Sequence, residues 1–306
     1  MPQALPPFRA ALLSPRHWPA WIGLGAIRLV ACLPRSWLMR GGRAVGWLAA
    51  RIFGERRAIA ARNLALCFPG LDEAERARLL EDNLRESGLM LAEFALAWMG
   101  SAARIARIPV TFEGLHHLAE ARAAGRGVLL VGAHFSHLEL CARLVSQQIP
   151  IAGMYREHDD AAFEWAIKRA RLRYADAMFT KDELRASVRH LRNGGTLWYA
   201  PDQDMRGKDS VFAPFFGIPA ATITATHHLA RLSGAAVIPF FHRRRDDDGY
   251  AIRLEAPLAD FPGYDVAADT ARVNGCVERM VAEAPEQYLW MHKRFKTRPP
   301  GEAELY

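Results

Sequence analysis

The chain has 306 residues, of which 51% are hydrophobic and 24% are charged. These proportions exclude a disordered chain, a collagen-like repeat and a coiled coil. The sequence contains no run of about 18 charge-free apolar residues, so its pattern does not indicate a polytopic membrane protein. The length suits one large domain, or one domain with a short appendage. The four cysteines are scattered with no CxxC pair, which fits neither a disulfide framework nor a zinc finger and favours a reducing compartment.

Positive charge is concentrated at the amino-terminal end of the chain. The net charge is +7, and residues 1–57 carry nine arginines against one acid, Glu55, so the other 249 residues sum to −1. A near-neutral body of this kind is not expected to coat a polyanion. We therefore predict no nucleic-acid partner.

The same amino-terminal end is also apolar. Residues 18–33 read WPAWIGLGAIRLVACL, and tryptophans lie among arginines as far as Arg51. Tryptophan beside arginine is typical of a membrane–water interface, and basic charge favours an anionic bilayer. We predict that residues 1–54 form a membrane-anchoring helical region, either spanning the bilayer or lying in its interface. The alternative is an ordinary buried helix with a solvated basic face. Because more arginines follow the apolar segment than precede it, the domain at 55–306 is predicted to be cytoplasmic.

Downstream of this region, helical and strand patterns alternate. The run GVLLVGAHF at 127–135 is nearly all apolar, which indicates a strand covered on both faces. The alternation predicts an α/β fold, a mostly parallel sheet flanked by helices, with a hairpin near one end at the DDDG turn, 246–249. In chain order the predicted elements are helices at 55–65 and 72–99, strand 127–135, helix 136–148, strand 150–156, helices near 160–173 and 182–192, strand 196–200, helix 221–234, strands 236–244 and 250–258, and a helix near 265–284.

The first candidate site is the junction between the strand at 127–135 and the next helix, since function collects where strands of an α/β sheet end. His134 lies at the strand end and Glu139 lies on the helix. We predict that His134 is a general base and that Glu139 holds its other ring nitrogen and stabilises the imidazolium. One alternative is a capping box formed by Ser136 and Glu139, which needs no catalysis. Another is metal ligation by His134, His137 and Glu139, although no further ligand follows at a suitable spacing.

Two further segments place polar or apolar side chains near strand ends. Asp202 follows the predicted strand at 196–200, where it can touch a ligand or belong to a solvated turn. The aromatic loop at 211–222 is predicted to be a wall for an apolar substrate, or a buried loop. Arg156 ends another strand and can bind a phosphate, or form a surface ion pair with an acidic neighbour.

Several blocks of the sequence together resemble a known family. AHFSHLE at 133–139 carries the H-x4-[DE] motif of glycerolipid-type acyltransferases. More closely, the chain resembles the Kdo-dependent late acyltransferases of bacterial lipid A synthesis, and among these the lauroyl-transferring branch. The resembling blocks extend almost from end to end and include LLSPRHWPAWIG (12–23), RRAIAARNLALCFP (56–69), GVLLVGAHFSHLEL (127–140), YAPDQD (199–204), SVFAPFFG (210–217), ATITAT (221–226), SGAAVIPF (233–240) and APEQYLWMHKRFKTRP (284–299).

The resemblance implies a glycerolipid acyltransferase-like fold and an enzyme of the bacterial inner membrane that contacts anionic lipids on the cytoplasmic face. It implies acyl carrier protein as thioester donor and the 3-hydroxyl of an acyl chain on Kdo2-lipid IV-A as acceptor, with no cofactor and no metal. His134 and Glu139 would be the catalytic pair. Arg156, Asp202 and Lys181 would bind substrate or organise the site. The rival interpretations are transfer of a myristoyl or palmitoleoyl chain, acylation of another glycolipid, an acyl-thioester hydrolase, and a membrane-bound binding protein.

Overall fold

The computed structural model describes residues 2–306, apart from the side chain of Ala50, so Met1 of the predicted 1–54 region lies outside the described residues. The helices are α1 Trp18–Val30, α2 Arg35–Ile52, α3 Gly54–Cys67, α4 Glu73–Met99, α5 Ala102–Ile105, α6 Leu115–Ala123, α7 Leu138–Val145, α8 Ala161–Arg171, α9 Leu184–Arg192, α10 Ala225–Ser233 and α11 Val266–Glu283. The strands are β1 Val110–Glu113, β2 Val128–Val131, β3 Ala152–Met154, β4 Ala177–Phe179, β5 Thr196–Tyr199, β6 Ser210–Phe215, β7 Ile218–Ile223, β8 Ala236–Arg244 and β9 Tyr250–Leu254.

Seven strands form the central sheet, in the order β1-β9-β8-β2-β5-β3-β4. The five strands from β8 to β4 run parallel to one another, whereas β9 returns antiparallel to β8 and β1 pairs in parallel with β9. All four residues of β2 are buried, because helices cover both faces of a largely parallel sheet. The prediction of a mostly parallel α/β sheet with a hairpin near one end is confirmed.

A second, two-stranded sheet occupies the segment that was predicted to be an apolar loop. β6 and β7 form an antiparallel hairpin joined by Phe216 and Gly217, both at positive φ. Two residues at positive φ match the right-handed twist of paired strands, which is why a two-residue connection suffices here. The helix predicted at 221–234 therefore begins only at Ala225, because the residues before it belong to β7.

The amino-terminal helices pack on the body of the protein through glycines. α2 crosses α4 so closely that a Cβ atom built on Gly88 would lie 2.3 Å from the carbonyl oxygen of Gly42, and one built on Gly46 would lie 2.4 Å from that of Leu84. Only glycine permits such an approach of two helix backbones. Leu24 and Leu38 belong to the same buried cluster as β2, so part of the predicted anchoring region contributes to the protein core.

The outer surface of the same helices is apolar. Within the described residues, 14 of the 21 exposed large hydrophobic side chains lie between Leu5 and Phe53, with Trp18 at 59% and Trp37 at 65% exposure. An apolar surface of this extent is unusual for a protein surrounded by water alone. None of the described helices combines the length and the apolar character that crossing a bilayer requires.

Candidate active site

The candidate active site lies where two neighbouring parallel strands end. β2 and β5 are paired in register, with Val131 opposite Tyr199 at their carboxyl ends. His134 comes three residues after Val131, and Asp202 comes three residues after Tyr199. Matched positions beyond paired parallel strands emerge at the same edge of the sheet, so the two side chains meet there although they are 68 residues apart in sequence.

Asp202 fixes both the backbone and the ring of His134. Its Oδ1 lies 2.6 Å from His134 Nδ1, and its Oδ2 accepts a hydrogen bond of 2.9 Å from the His134 backbone N–H. The Asp202 side chain is 1% exposed, whereas that of His134 is 28% exposed. Because a carboxylate can only accept, Nδ1 must carry a proton, which leaves the lone pair on Nε2.

Burial and charge shift the pKa of each partner. Burial alone would raise the pKa of Asp202, but the charge of His134 and its hydrogen bonds lower it to about 2. Burial alone would lower the pKa of His134, but the Asp202 carboxylate outweighs this and raises it above its ordinary value. The pair therefore holds a carboxylate at neutral pH beside an imidazole of increased basicity, which is the pairing that a general base requires.

The loop that carries His134 is held by the carboxyl-terminal segment of the chain. The backbone N–H of Leu289 donates to the His134 carbonyl (3.0 Å), and the backbone N–H of Ser136 donates to the Gln287 carbonyl (2.8 Å). Asn83, buried on α4, donates to two carbonyls of the same segment. The conformation at His134 is thus set by strand, tail and helix together, which preorganises the ring.

A cavity of about 290 Å³ opens beside His134. Its walls are mainly apolar and come from α4, α7, β3, β5 and the carboxyl-terminal segment. The lining residues are Met90, Phe94, His134, Phe135, Leu138, Glu139, Ala142, Ile151, Ala152, Gly153, Met154, Tyr155, Arg156, His158, Arg171, Tyr174, Ala175, Met178, Trp198 and Leu289. An apolar cleft with a few convergent polar groups is the usual form of a small-molecule or lipid-chain site.

Glu139 lies in the wall of this cavity but does not hold His134. Its carboxylate accepts hydrogen bonds from Trp98 Nε1 on α4 (2.8 Å) and from the Arg171 guanidinium on α8. No hydrogen bond joins Glu139 to His134 in the part of the chain that the structure describes, and Asp202 occupies Nδ1 instead. The predicted hydrogen bond between His134 and Glu139 is wrong, because the first turn of α7 directs Glu139 toward α4 and α8.

The two alternatives for this motif also fail in the structure. His137 stands at the N-cap of α7 and makes no side-chain capping bond, and Ser136 Oγ lies 3.4 Å from His137 Nδ1, so the predicted capping box is wrong. The three side chains of the metal alternative go to separate partners. His134 binds Asp202, His137 Nε2 lies 3.2 Å from the carbonyl oxygen of His242, and Glu139 binds α4 and α8.

Of the other residues predicted to bind substrate, Arg156 lines the cavity and Lys181 does not. Arg156 lines it, with a side chain that is 87% exposed and 3.4 Å from Asp159. Lys181 is exposed in a 3-10 turn after β4 and is not among the lining residues. The predicted wall at 211–222 is also absent from the lining, because the β6–β7 hairpin packs beneath the carboxyl-terminal segment, where Arg294 donates to the carbonyl of Ala221. The substrate-binding roles of Arg156 and Lys181 stay predictions.

Three residues around the pair were not predicted. The Trp198 ring meets the His134 ring edge to face at 6.2 Å, and the Tyr288 hydroxyl lies 3.5 Å from the Asp202 carbonyl. Arg294 is buried nearby, and its charge also lowers the pKa of Asp202. For Tyr288 and Arg294 the available signal was the dense aromatic and basic pattern of residues 284–299, which is more apolar than a solvated terminus, whereas Trp198 lies on β5.

Comparison with known proteins places the chain among lipid acyltransferases. A family model described as bacterial lipid A biosynthesis acyltransferase matches residues 5–297. The chain is 41% identical over 304 residues to a lipid A biosynthesis lauroyltransferase of Escherichia coli K12, covering 99% of each protein. A lipid A biosynthesis palmitoleoyltransferase of the same strain is 39% identical, covering 98% of each. A lipid A biosynthesis myristoyltransferase of that strain is 30% identical, covering 99% of this chain and 94% of the relative.

Proposed function

Since the chain belongs to the family of bacterial lipid A biosynthesis acyltransferases, we propose that it moves a lauroyl-type chain from acyl carrier protein to the 3-hydroxyl of an acyl chain on Kdo2-lipid IV-A. The observation that carries this proposal is the His134–Asp202 pair at the edge of an apolar cavity. An oriented imidazole next to a lipid-sized cleft suits the deprotonation of a lipid alcohol. Acylation of a different glycolipid hydroxyl is the alternative acceptor.

The reaction needs one proton carrier and no covalent intermediate. His134 Nε2 takes the proton of the acceptor hydroxyl as its oxygen attacks the thioester carbonyl carbon. The C–S bond breaks, and the protonated imidazole returns the proton to the departing thiolate sulfur, which regenerates His134. Asp202 keeps Nδ1 protonated and stabilises the imidazolium while it exists. A thioester is already an activated acyl donor, so the proposed transfer uses no cofactor.

Glu139 acts in this proposal as a positioning residue. Its ion pair with Arg171 is largely buried, and the Arg171 guanidinium also lies over the rings of Tyr155 and Trp98 at 5.4 and 6.0 Å. These contacts join α4, α7 and α8 around the cavity. Arg156 stands at the rim, where its exposed guanidinium is available to a phosphate of the glycolipid.

The amino-terminal surface is proposed to bind the cytoplasmic face of the inner membrane. Trp18, Ile22 and Trp37 are exposed on α1 and α2. Seven arginines lie on these two helices or in the segment just before them, and the glycolipid acceptor resides in that membrane. Apolar side chains insert into the acyl boundary while arginines meet anionic head groups. A protein so attached meets its lipid acceptor in two dimensions and the acidic carrier from solution.

The proposal is tested with purified full-length protein, Kdo2-lipid IV-A and acyl carrier proteins loaded with C12, C14 or C16:1 chains. We expect a C12 acyloxyacyl product by mass spectrometry and no product from His134→Ala. In cells that lack the gene, lipid A should lose one secondary C12 chain. An unchanged lipid A profile, together with no transfer in vitro, would contradict the proposal.

Two rivals have separate signatures in the same assay. A thioester hydrolase would release free fatty acid at the same rate with and without the glycolipid. Palmitoleoyl transfer is the second candidate for specificity, since that relative is nearly as similar as the lauroyl one. Faster transfer of C16:1 than of C12 would replace the lauroyl assignment while leaving the acyltransferase mechanism intact.

A further inference from the structure

A cluster of three potential metal ligands lies in the protein core behind the His134 loop. His137 precedes α7, Cys141 lies one turn into that helix, and His242 lies on β8. All three side chains are fully buried, at 0% exposure. One ligand atom from each, an imidazole nitrogen or the Cys141 sulfur, lies within 4.8 Å of the other two.

The His242 ring has no hydrogen-bond partner for either nitrogen among the described residues. Its neighbours are aromatic, with Phe135 and Phe240 at ring-centroid distances of 5.5 and 5.4 Å. Buried polar groups are almost always hydrogen-bonded or bound to a metal, because apolar surroundings return none of the solvation that burial removes. An imidazole at this position therefore points to a ligand that uses a nitrogen lone pair.

A metal ion binds neutral imidazole and thiolate ligands, so loading this cluster releases the Cys141 thiol proton to solvent.

The nearest cation does not oppose an ion at the cluster. Arg244 is paired with Glu93 at 2.7 Å and also with Glu86. The second carboxylate oxygen of Glu93 is buried without a partner in the described structure. The positive charge of Arg244 is thus already balanced by carboxylates.

We propose that His137, Cys141 and His242 form a buried three-ligand Zn²⁺ site. Two imidazoles and one thiolate are preferred Zn²⁺ ligands, and Zn–N bonds of about 2.0 Å with a Zn–S bond of about 2.3 Å place ligand atoms roughly 3.5 Å apart. Loading the ion thus draws the three side chains closer than their present limit of 4.8 Å. The ion joins β8 to the base of the loop that carries His134. It takes no part in the acyl transfer, so this proposal does not rest on the proposed function.

The test is the metal content of the full-length protein, purified in detergent with a histidine-free affinity tag. We expect about one Zn²⁺ per chain by plasma mass spectrometry, and Co²⁺ exchanged into the site should give a sulfur-to-cobalt charge-transfer band. Cys141→Ala and His242→Gln should lose both signals. Cys276→Ala is the matched control, since Cys276 is also a buried helical cysteine but lies outside the cluster.

Each result decides the proposal. Wild-type protein that contains far less than one Zn²⁺ and shows no charge-transfer band with Co²⁺ would overturn it, and this measurement needs no variant to fold. Zn²⁺ that persists in Cys141→Ala and His242→Gln would also overturn it, because the ion would then be bound elsewhere. As a second measurement, a strong chelator should lower the melting temperature of wild type and Cys276→Ala but not that of folded Cys141→Ala.

Discussion

The two oxygens of the Asp202 carboxylate hold two different parts of His134, the ring at Nδ1 and the backbone N–H. The same contact therefore sets the tautomer of the ring and the path of the loop after β2. Since Asp202 is buried and His134 is partly exposed, the carboxylate is shielded while Nε2 stays accessible to substrate. We base the proposed catalytic pair on this relationship rather than on the local spacing of the H-x4-E motif.

Asp202→Asn should reduce acyl transfer by about 100- to 10,000-fold, because an amide does not stabilise the imidazolium and need not select the Nδ1–H tautomer. The measurement is kcat/KM with a C12 donor. Asp269→Asn is the control, since Asp269 forms the other buried aspartate–histidine pair, with His227 at 2.8 Å, and does not line the cavity. Equal losses in both variants would show that the effect is one of folding.

The pH dependence of kcat/KM should report the ionisation of His134. The base form is active, so the rate falls as the pH drops through a pKa that Asp202 has raised above the ordinary value of 6.5. In Asp202→Asn, burial lowers the pKa of His134 with no carboxylate to oppose it. The midpoint of the pH profile should therefore move below 6.5, and the plateau value of kcat/KM should fall. A midpoint that is the same in wild type and variant would contradict the assigned partnership.

Glu139→Ala should destabilise the protein by about 3 kcal/mol, because it leaves the Arg171 charge buried without its partner. Thermal or urea unfolding in detergent measures this loss. The control is Glu55→Ala, which breaks a largely exposed pair with Lys293 and should cost about 0–1 kcal/mol. A large loss of transfer in Glu139→Ala with unchanged stability and an altered pH profile would instead support the direct role first predicted for this residue.

Ala142→Leu should shift donor preference toward shorter chains. Ala142 lies on α7 in the cavity wall, and a larger side chain removes volume that the end of a long acyl chain would fill. Each methylene excluded costs about 0.8 kcal/mol of burial, so a C14 donor should lose several-fold more kcat/KM than a C10 donor. Ala186→Leu, on α9 and outside the lining, is the control. Equal effects on all donors would place the acyl chain elsewhere.

Replacing Trp18 and Trp37 together with alanine should weaken binding to vesicles that contain anionic phospholipid. Both rings are more than half exposed, so the change removes surface without removing core contacts. Flotation of the protein with phosphatidylglycerol vesicles measures the effect, and phosphatidylcholine vesicles show how much depends on charge. Tyr264→Ala is a control at a fully exposed aromatic outside this surface. Unchanged flotation of the double variant would refute attachment through these helices.

Much of the fold could be predicted from local patterns. The run at 127–135 is nearly all apolar because it contains β2, which is buried on both faces, and the predicted helices at 72–99 and 265–284 have boundaries close to those of α4 and α11. The β6–β7 hairpin was missed because its turn is Phe216-Gly217 rather than a common turn pair, and because Phe215 and Ala220 are covered by distant parts of the chain.

Local sequence patterns were enough to predict the class of fold, the family resemblance, the basic and apolar amino-terminal surface, and His134 as a base at a strand end. These are local properties, since periodicity, burial and charge can be read within a few turns of chain. The partner of His134 depends on tertiary contacts instead. The local motif predicted Glu139, whereas Asp202 holds the ring because β5 pairs with β2 and Arg171 meets Glu139, contacts between residues 32 to 68 positions apart. Such pairings are set by the free energy of the entire packed sheet, which no short segment contains.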